Sequence, residues 1–313
     1  MISYFKTAGN GIEQIDHYEV GCWVNAIEPD KDDINTLKER FHVEPEYILD
    51  SLDEEEASRV ESEDGHTFII FDVPCAEKEN NNIIYNATPL GVIVTPTNVI
   101  TIAKKDNPVL MDFTHGVVKN VKTEYKTNFV LNLLSRMATR FLQYLRQIDR
   151  YSSNLETKLR KSMKNKELVQ LLDLQKSLVY FQTSLKSNEI TVKKVLRYKA
   201  IKMYEEDEDL IEDVLIELQQ AIEMCSISST ILANTMDAFS SVISNNLNQV
   251  MKMLTSITII MAIPTMVFSF FGMNIGPGIS GSLPLANNMW FVSIFTVIVT
   301  AIVGIILYKK DMF

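Results

Sequence analysis

Seven residues near the C-terminus are spaced so that they could do chemistry together. At ~100° per residue, Asn248, Met251, Thr255, Thr258, Ala262, Thr265 and Ser269 fall within an arc of roughly 100° on one helix face. Leu254 lies just off that arc, by about 20–40°. Neutral hydroxyl and amide oxygens can hydrogen-bond to the water shell of a hard cation without stripping it. Among the hydroxyl residues of this stretch, Ser256 lies clearly off the arc, and the other faces carry Leu, Ile, Val and Phe. Small and hydroxyl residues also serve where one membrane helix packs on another. On spacing alone both readings stay open, an ion pathway and a packing face.

The elements that would position this stripe are two apolar segments. Residues 253–308 contain no Asp, Glu, Lys or Arg. Residues 253–271 and 289–308 are each close to the ~20 apolar residues that a helix needs to cross a bilayer. Pro264 falls inside the first, where neighbouring helices can satisfy the carbonyl it frees. Lys252 precedes the first segment, Lys309 and Lys310 follow the second, and the connection 275–288 is uncharged. Positive flanks stay on the cytoplasmic side, so both termini are expected inside and a short loop outside. Two spans cannot enclose a pathway. An ion path therefore requires several copies around an axis.

Upstream, β-branched and aromatic runs at 20–27, 66–73, 83–86 and 91–103 predict strands, the last folded into a hairpin at Pro96-Thr97-Asn98. Residues 31–41, 45–53 and 107–118 predict short helices. From about residue 126 the pattern is helical. Segments 126–162 and 167–198 predict two long helices folded back on each other, with a turn at 162–166. A third begins in the acidic run 205–209, and no Gly or Pro interrupts residues 205–263, so it is expected to continue into the first span. At ~1.5 Å per residue it would be on the order of 90–100 Å long and would need partners. The expected organisation is 1–122 α/β domain, 123–200 helical hairpin, 201–252 stalk helix, 253–274 first span, 275–288 loop, 289–308 second span and 309–313 tail.

Composition narrows the classes. The formal net charge of −10 argues against a nucleic-acid surface and suits a domain that tolerates cations nearby. Cys22, Cys75 and Cys225 are odd in number and far apart, with no CxxC pair. They read as reduced cytosolic thiols. The N-terminus has no apolar stretch of signal-peptide type. His17, His42, His66 and His115 are scattered, and neither GxSxG nor a P-loop occurs, so catalysis is not expected.

At the end of the first span stands Phe271-Gly272-Met273-Asn274-Ile275. Together with two C-terminal spans, a long helix entering the first, an α/β domain upstream and a terminal lysine pair, this Gly-Met-Asn triplet resembles the CorA family of magnesium transporters. The resemblance covers essentially the whole chain. It implies an α+β cytoplasmic domain of α/β/α sandwich type, long helices, and a funnel-shaped homopentamer in the cell (inner or plasma) membrane. By the same resemblance Gly272, Met273 and Asn274 form the selectivity filter. Gly272 would allow close backbone approach at the axis, Met273 would pack between subunits, and Asn274 would present a ring of amide oxygens. The segment around Asn248, Met251 and Leu254 would narrow the inner pore. Asp50, in the segment 44–52, and Asp213, in Glu212-Asp213-Val214, match the family's Mg2+-sensing carboxylates. Asp53, Glu54, Glu55 and Glu56 are nearby candidates.

The expected function is passage of divalent cations, Mg2+ first, with Co2+ and Ni2+ as variants, regulated by Mg2+ bound between cytoplasmic domains. The expected partners are other copies of the chain, the lipid bilayer and the ions. A zinc transporter of the same superfamily is the nearest alternative. His or Cys ligands would favour it, and the stripe has neither. A membrane-anchored cation sensor without transport is the other alternative. The loop 275–288 lacks the carboxylate that many relatives carry there, so electrostatic capture at the mouth is not expected.

Overall fold

The computed structural model describes residues 1–9, 11–63, 65–79, 82–162, 165–271 and 289–310. These form two compact units, Met1–Met236 and Asp237–Phe313.

The first unit is built on a seven-stranded sheet. Its strands are β1 (Ile2–Ala8), β2 (Gly11–Ile15), β3 (Trp23–Ile27), β4 (Arg59–Glu63), β5 (His66–Glu79), β6 (Asn82–Val94) and β7 (Val99–Ala103), in the order β2-β1-β3-β7-β6-β5-β4. Only β3 and β7 run parallel; the other neighbours are antiparallel. The expected hairpin at residues 95–98 joins β6 to β7, with Val94 opposite Val99. It is closed by Thr95, whose N–H and hydroxyl both donate to the Asn98 carbonyl. The runs at 83–86 and 91–95 belong to one strand, despite Pro89 between them. Over residues 82–90 that strand pairs with β5 and not with β7, and an open edge tolerates a proline.

Helices cover both faces of the sheet. On one face lie α1 (Lys31–Phe41) and α2 (Pro45–Leu52). Asp30 and Asp33 form a reciprocal capping box at the start of α1, satisfying amides that the helix leaves open. Leu37, Phe41, Tyr47 and Ile48 pack with Val24, Ala26, Phe68, Ile70, Ile93, Ile100 and Ile102 in one buried cluster. On the other face lie α3 (Pro108–Thr114), α4 (Lys126–Ser162) and α5 (Asn165–Tyr198). There Trp23, one residue out of phase with Val24, packs against Phe113 and Phe129. This alternation makes the unit the expected α/β/α sandwich.

Buried polar groups fix the layers relative to each other. Asn188 of α5 donates to the Asp72 carbonyl at 2.8 Å and accepts the Asp72 N–H at 2.9 Å, as a neighbouring strand would. It also accepts from Ser58 Oγ at 2.9 Å. Asp112 of α3 is held by Arg136 and Arg140 of α4, with 2.6 Å from each Nε to Oδ2. Pairings such as Phe141 with Phe181 and Met137 with Asn188 show that α4 and α5 run antiparallel.

The helix α6 runs Glu205–Phe271 without interruption, as the absence of early breakers implies. Within the first unit Ile211, Val214, Leu218, Ala221 and Cys225 are buried at alternating three- and four-residue spacing. Cys225 Sγ contacts the Leu178 carbonyl at 3.1 Å and Gln219 donates to Glu189 at 3.2 Å, so this seam lies against α5. The second unit holds the rest of α6 and α7 (Met289–Lys309). These two helices are long and apolar enough to cross a membrane.

Candidate functional site

Shielding within the second unit reveals which side of α6 its own chain uses. Ser256 and Val267 of α6 are buried, and Ile260, Ile263 and Pro264 are half-buried. On α7 the buried residues are Val292, Thr296 and Leu307. At ~100° per residue, Ser256, Ile260, Ile263 and Val267 share an arc of about 60°. That arc is the packing face toward α7. It accounts for Ser256, the hydroxyl that fell outside the stripe.

The stripe itself is centred roughly 145° away around the helix. Asn248, Met251, Leu254, Thr255, Thr258, Ala262, Thr265 and Ser269 are all exposed in the single chain. The stripe is therefore not the intrachain packing face. A continuous polar row extends it toward the N-terminus of the helix. Ser240, Ser241, Ser244 and Asn245 line one shallow surface with Asn248. The sequence reading missed this extension, although the same three- and four-residue spacing carries it.

The three threonines of the stripe share one hydrogen-bond pattern. Thr255 Oγ1 donates to the Met251 carbonyl at 2.7 Å, Thr258 Oγ1 to the Leu254 carbonyl at 2.8 Å, and Thr265 Oγ1 to the Met261 carbonyl at 3.0 Å. Each proton is used by the helix backbone, so each oxygen turns lone pairs outward. Such a surface accepts hydrogen bonds from the waters of a hydrated cation. The triplet Gly272-Met273-Asn274 and the loop 275–288 lie outside the described residues.

The regulatory candidates sit in the first unit. Asp50 is on α2, which approaches the sheet closely at Gly91, where an added Cβ would stand 1.8 Å from Ser51 Oγ. Ser51 is itself fixed by donating to the Tyr47 carbonyl at 2.6 Å. Beside it, Asp50 Oδ2 accepts from Arg59 Nη2 at 2.5 Å. Arg59 also binds Glu56, and its Nε donates to Glu61 Oε1 at 2.7 Å. Burial works against the Arg59 charge, but the hydrogen bonds it donates to Glu61 and Asp50 outweigh that and raise its pKa. Of the neighbouring acids, Glu54 pairs with Lys104 at 3.1 Å, and Asp53 Oδ1 accepts the Glu55 N–H at 3.0 Å.

Asp213 is exposed on α6, one turn before Glu217. Burial pushes the Glu217 carboxyl up, a hydrogen bond from Thr139 pulls it down, and the Asp213 charge pushes it further up. Asp50 and Asp213 are hard oxygen donors of the type Mg2+ takes. Among the described residues of one chain, no three His, Cys, Asp or Glu side chains converge to hold a metal ion.

Comparison with known proteins points in one direction. The family model described as "CorA-like Mg2+ transporter protein" matches residues 18–309. The cobalt/magnesium transport protein CorA of Methanocaldococcus jannaschii is 27% identical over 289 residues, covering 90% of this chain and 87% of that protein. The complete structure of the CorA magnesium transporter from that organism superposes with a TM-score of 0.77 at 22% identity, covering 99% of this chain and 96% of the other. The full-length CmaX protein superposes with a TM-score of 0.70 at 15% identity, covering 100% and 98%. At these identities the structural matches speak to the fold.

Proposed function

Because the chain belongs to the CorA-like Mg2+ transporter family, we propose that it forms a homopentameric channel through which Mg2+ enters the cell, with the stripe on α6 facing the axis. The observation that carries this reading is the placement of the stripe: charge-free, rich in outward lone pairs, and turned away from α7. Neutral oxygens hold a hydrated ion weakly enough to let it leave, as conduction requires. Met251 and Leu254 put apolar side chains on the inner part of the path, where a ring of them can exclude water and close it. Asn274 rings the outer mouth, and both termini lie inside with the first unit cytoplasmic.

Ion choice follows from ligand chemistry. The stripe carries no His or Cys, which favours Mg2+ over zinc. Co2+ is a second candidate because the relative from M. jannaschii is named for both ions, and Ni2+ a third. Uptake into proteoliposomes loaded with a Mg2+-sensitive dye tests the function. Mg2+ entry supports it, entry of Zn2+ alone moves the protein to zinc transport, and no entry of either leaves a sensor.

Regulation rests on Asp50 and Asp213 facing each other across neighbouring subunits. A divalent ion between them holds the interface, and its loss leaves carboxylates that repel and loosens the closed state. Asp213→Asn is expected to raise the Mg2+ concentration needed for protection from protease by about tenfold, the size of one charge-assisted ligand. A protection curve identical to wild type would remove Asp213 from the site.

A further inference from the structure

We propose that Arg59 sets the Mg2+ concentration at which the cytoplasmic interface closes, by competing with the ion for Asp50. This rests on the reading of Asp50 as a regulatory ligand. One guanidinium serves three carboxylates drawn from different stretches of chain: Asp50 of α2, Glu56 of the connection after it, and Glu61 of β4. Its fork is fully spread, with Nη2 on Asp50, Nη1 on Glu56 and Nε on Glu61. The Phe68 ring, 5.7 Å from the guanidinium carbon and stacked on Tyr47 at 4.4 Å, backs the group.

The cluster stays doubly negative, three carboxylates against one cation, and so still attracts a divalent ion. Asp50, however, has its Oδ2 occupied at 2.5 Å within a partly shielded pair, the side chains 19% and 25% exposed. Magnesium needs oxygen lone pairs, either directly or through its waters. To use Asp50 it must share or displace the guanidinium. The affinity of the site is then the ion's affinity for bare Asp50, reduced by the hold of Arg59. Glu56 and Glu61 weaken that hold by drawing on the same donor group.

Limited proteolysis of the full-length protein in detergent, titrated with MgCl2, tests the competition. Arg59→Gln is expected to reach half-protection at about three- to tenfold lower Mg2+, the range of a partly shielded ion pair. Glu61→Gln is expected to shift it higher, because Arg59 then holds Asp50 with less division. Arg59→Lys keeps the charge but not the fork and should shift the midpoint down by less; it reads the same effect if the Gln variant does not fold. In the double variant Asp50→Asn/Arg59→Gln the curve should coincide with that of Asp50→Asn alone. An added shift in the double variant equal to that of Arg59→Gln would mean a general charge effect and would overturn the proposal. An unshifted Arg59→Gln or Arg59→Lys, with Asp50→Asn itself shifted, would also overturn it. If Asp50→Asn matches wild type, Asp50 is not a ligand, and the underlying reading fails first.

Discussion

Asn274→Ala is expected to reduce divalent-cation uptake by about 100-fold or more while leaving assembly intact. In the proposed pore a ring of Asn274 amide oxygens would offer the entering ion several hydrogen bonds to its water shell, each worth ~1 kcal/mol net. Losing about three of them is on the order of 100-fold. Nothing acidic in the loop 275–288 can take over capture. Dye-monitored Mg2+ uptake, with size-exclusion chromatography of the same preparations, reads both halves. Uptake at the wild-type rate would show that the triplet is not the filter, and a dissociated variant would show that Asn274 serves assembly instead.

Asp112→Ala is expected to cost about 2–4 kcal/mol of stability in the first unit. Breaking a buried pair by removing one partner leaves the other charge uncompensated, typically at about 3–5 kcal/mol. Here Arg136 and Arg140 are 21% and 24% exposed, so water offsets part of that loss. The affected contact joins α3 to α4, and Phe113, the residue after Asp112, packs on Trp23. Melting followed by tryptophan fluorescence should fall by roughly 5–10 °C. Unchanged melting would show that the cluster is replaceable. The pH dependence has a definite sign. Burial disfavours the Asp112 charge, but the hydrogen bonds from Arg140 and Arg136 outweigh it and hold the carboxyl below its usual range. The stabilisation is therefore complete above the ordinary aspartate pKa and is lost as pH falls through the lowered folded value. Wild type should lose stability more steeply than Asp112→Ala on acidification below about pH 4.

The helical part of the fold was legible because its signals are local. Apolar positions at three- and four-residue spacing gave α4 and α5, and the lack of Gly or Pro before Pro264 gave the continuity of α6. Strands β1, β2 and β4 were not read. Their residues are mostly half-buried or exposed, and β2 and β4 are the outer strands of the sheet, so alternation is weak in Glu13-Gln14 and in Arg59–Glu63. The expected helix over 107–118 stops at Thr114, and Gly116 turns the chain at positive φ.

The stripe was readable as a pattern but its meaning was not, since small and hydroxyl residues suit both packing and an ion path. The burial of Ser256 and Val267 separates the two within the chain, because it shows where α7 lies. Asp50 became a candidate through its resemblance to a family motif. Its partner Arg59 was invisible, because the pair exists only once β4 has joined β5 and brought residue 59 beside the end of α2. The candidate sensing carboxylate is therefore one already held by an arginine.

The central claim is that the stripe on α6 faces the ion. It is tested most directly in a variant without Cys22, Cys75 and Cys225, carrying single cysteines at Thr258, Thr265, Ile260 or Ile263. A positively charged methanethiosulfonate reagent is applied to reconstituted protein during Mg2+ flux. Block is expected at Thr258→Cys and Thr265→Cys, and continued flux at Ile260→Cys and Ile263→Cys, which lie on the α7 side. Block at the isoleucine positions with unimpaired flux at the threonine positions would place the pathway on the opposite face and contradict it.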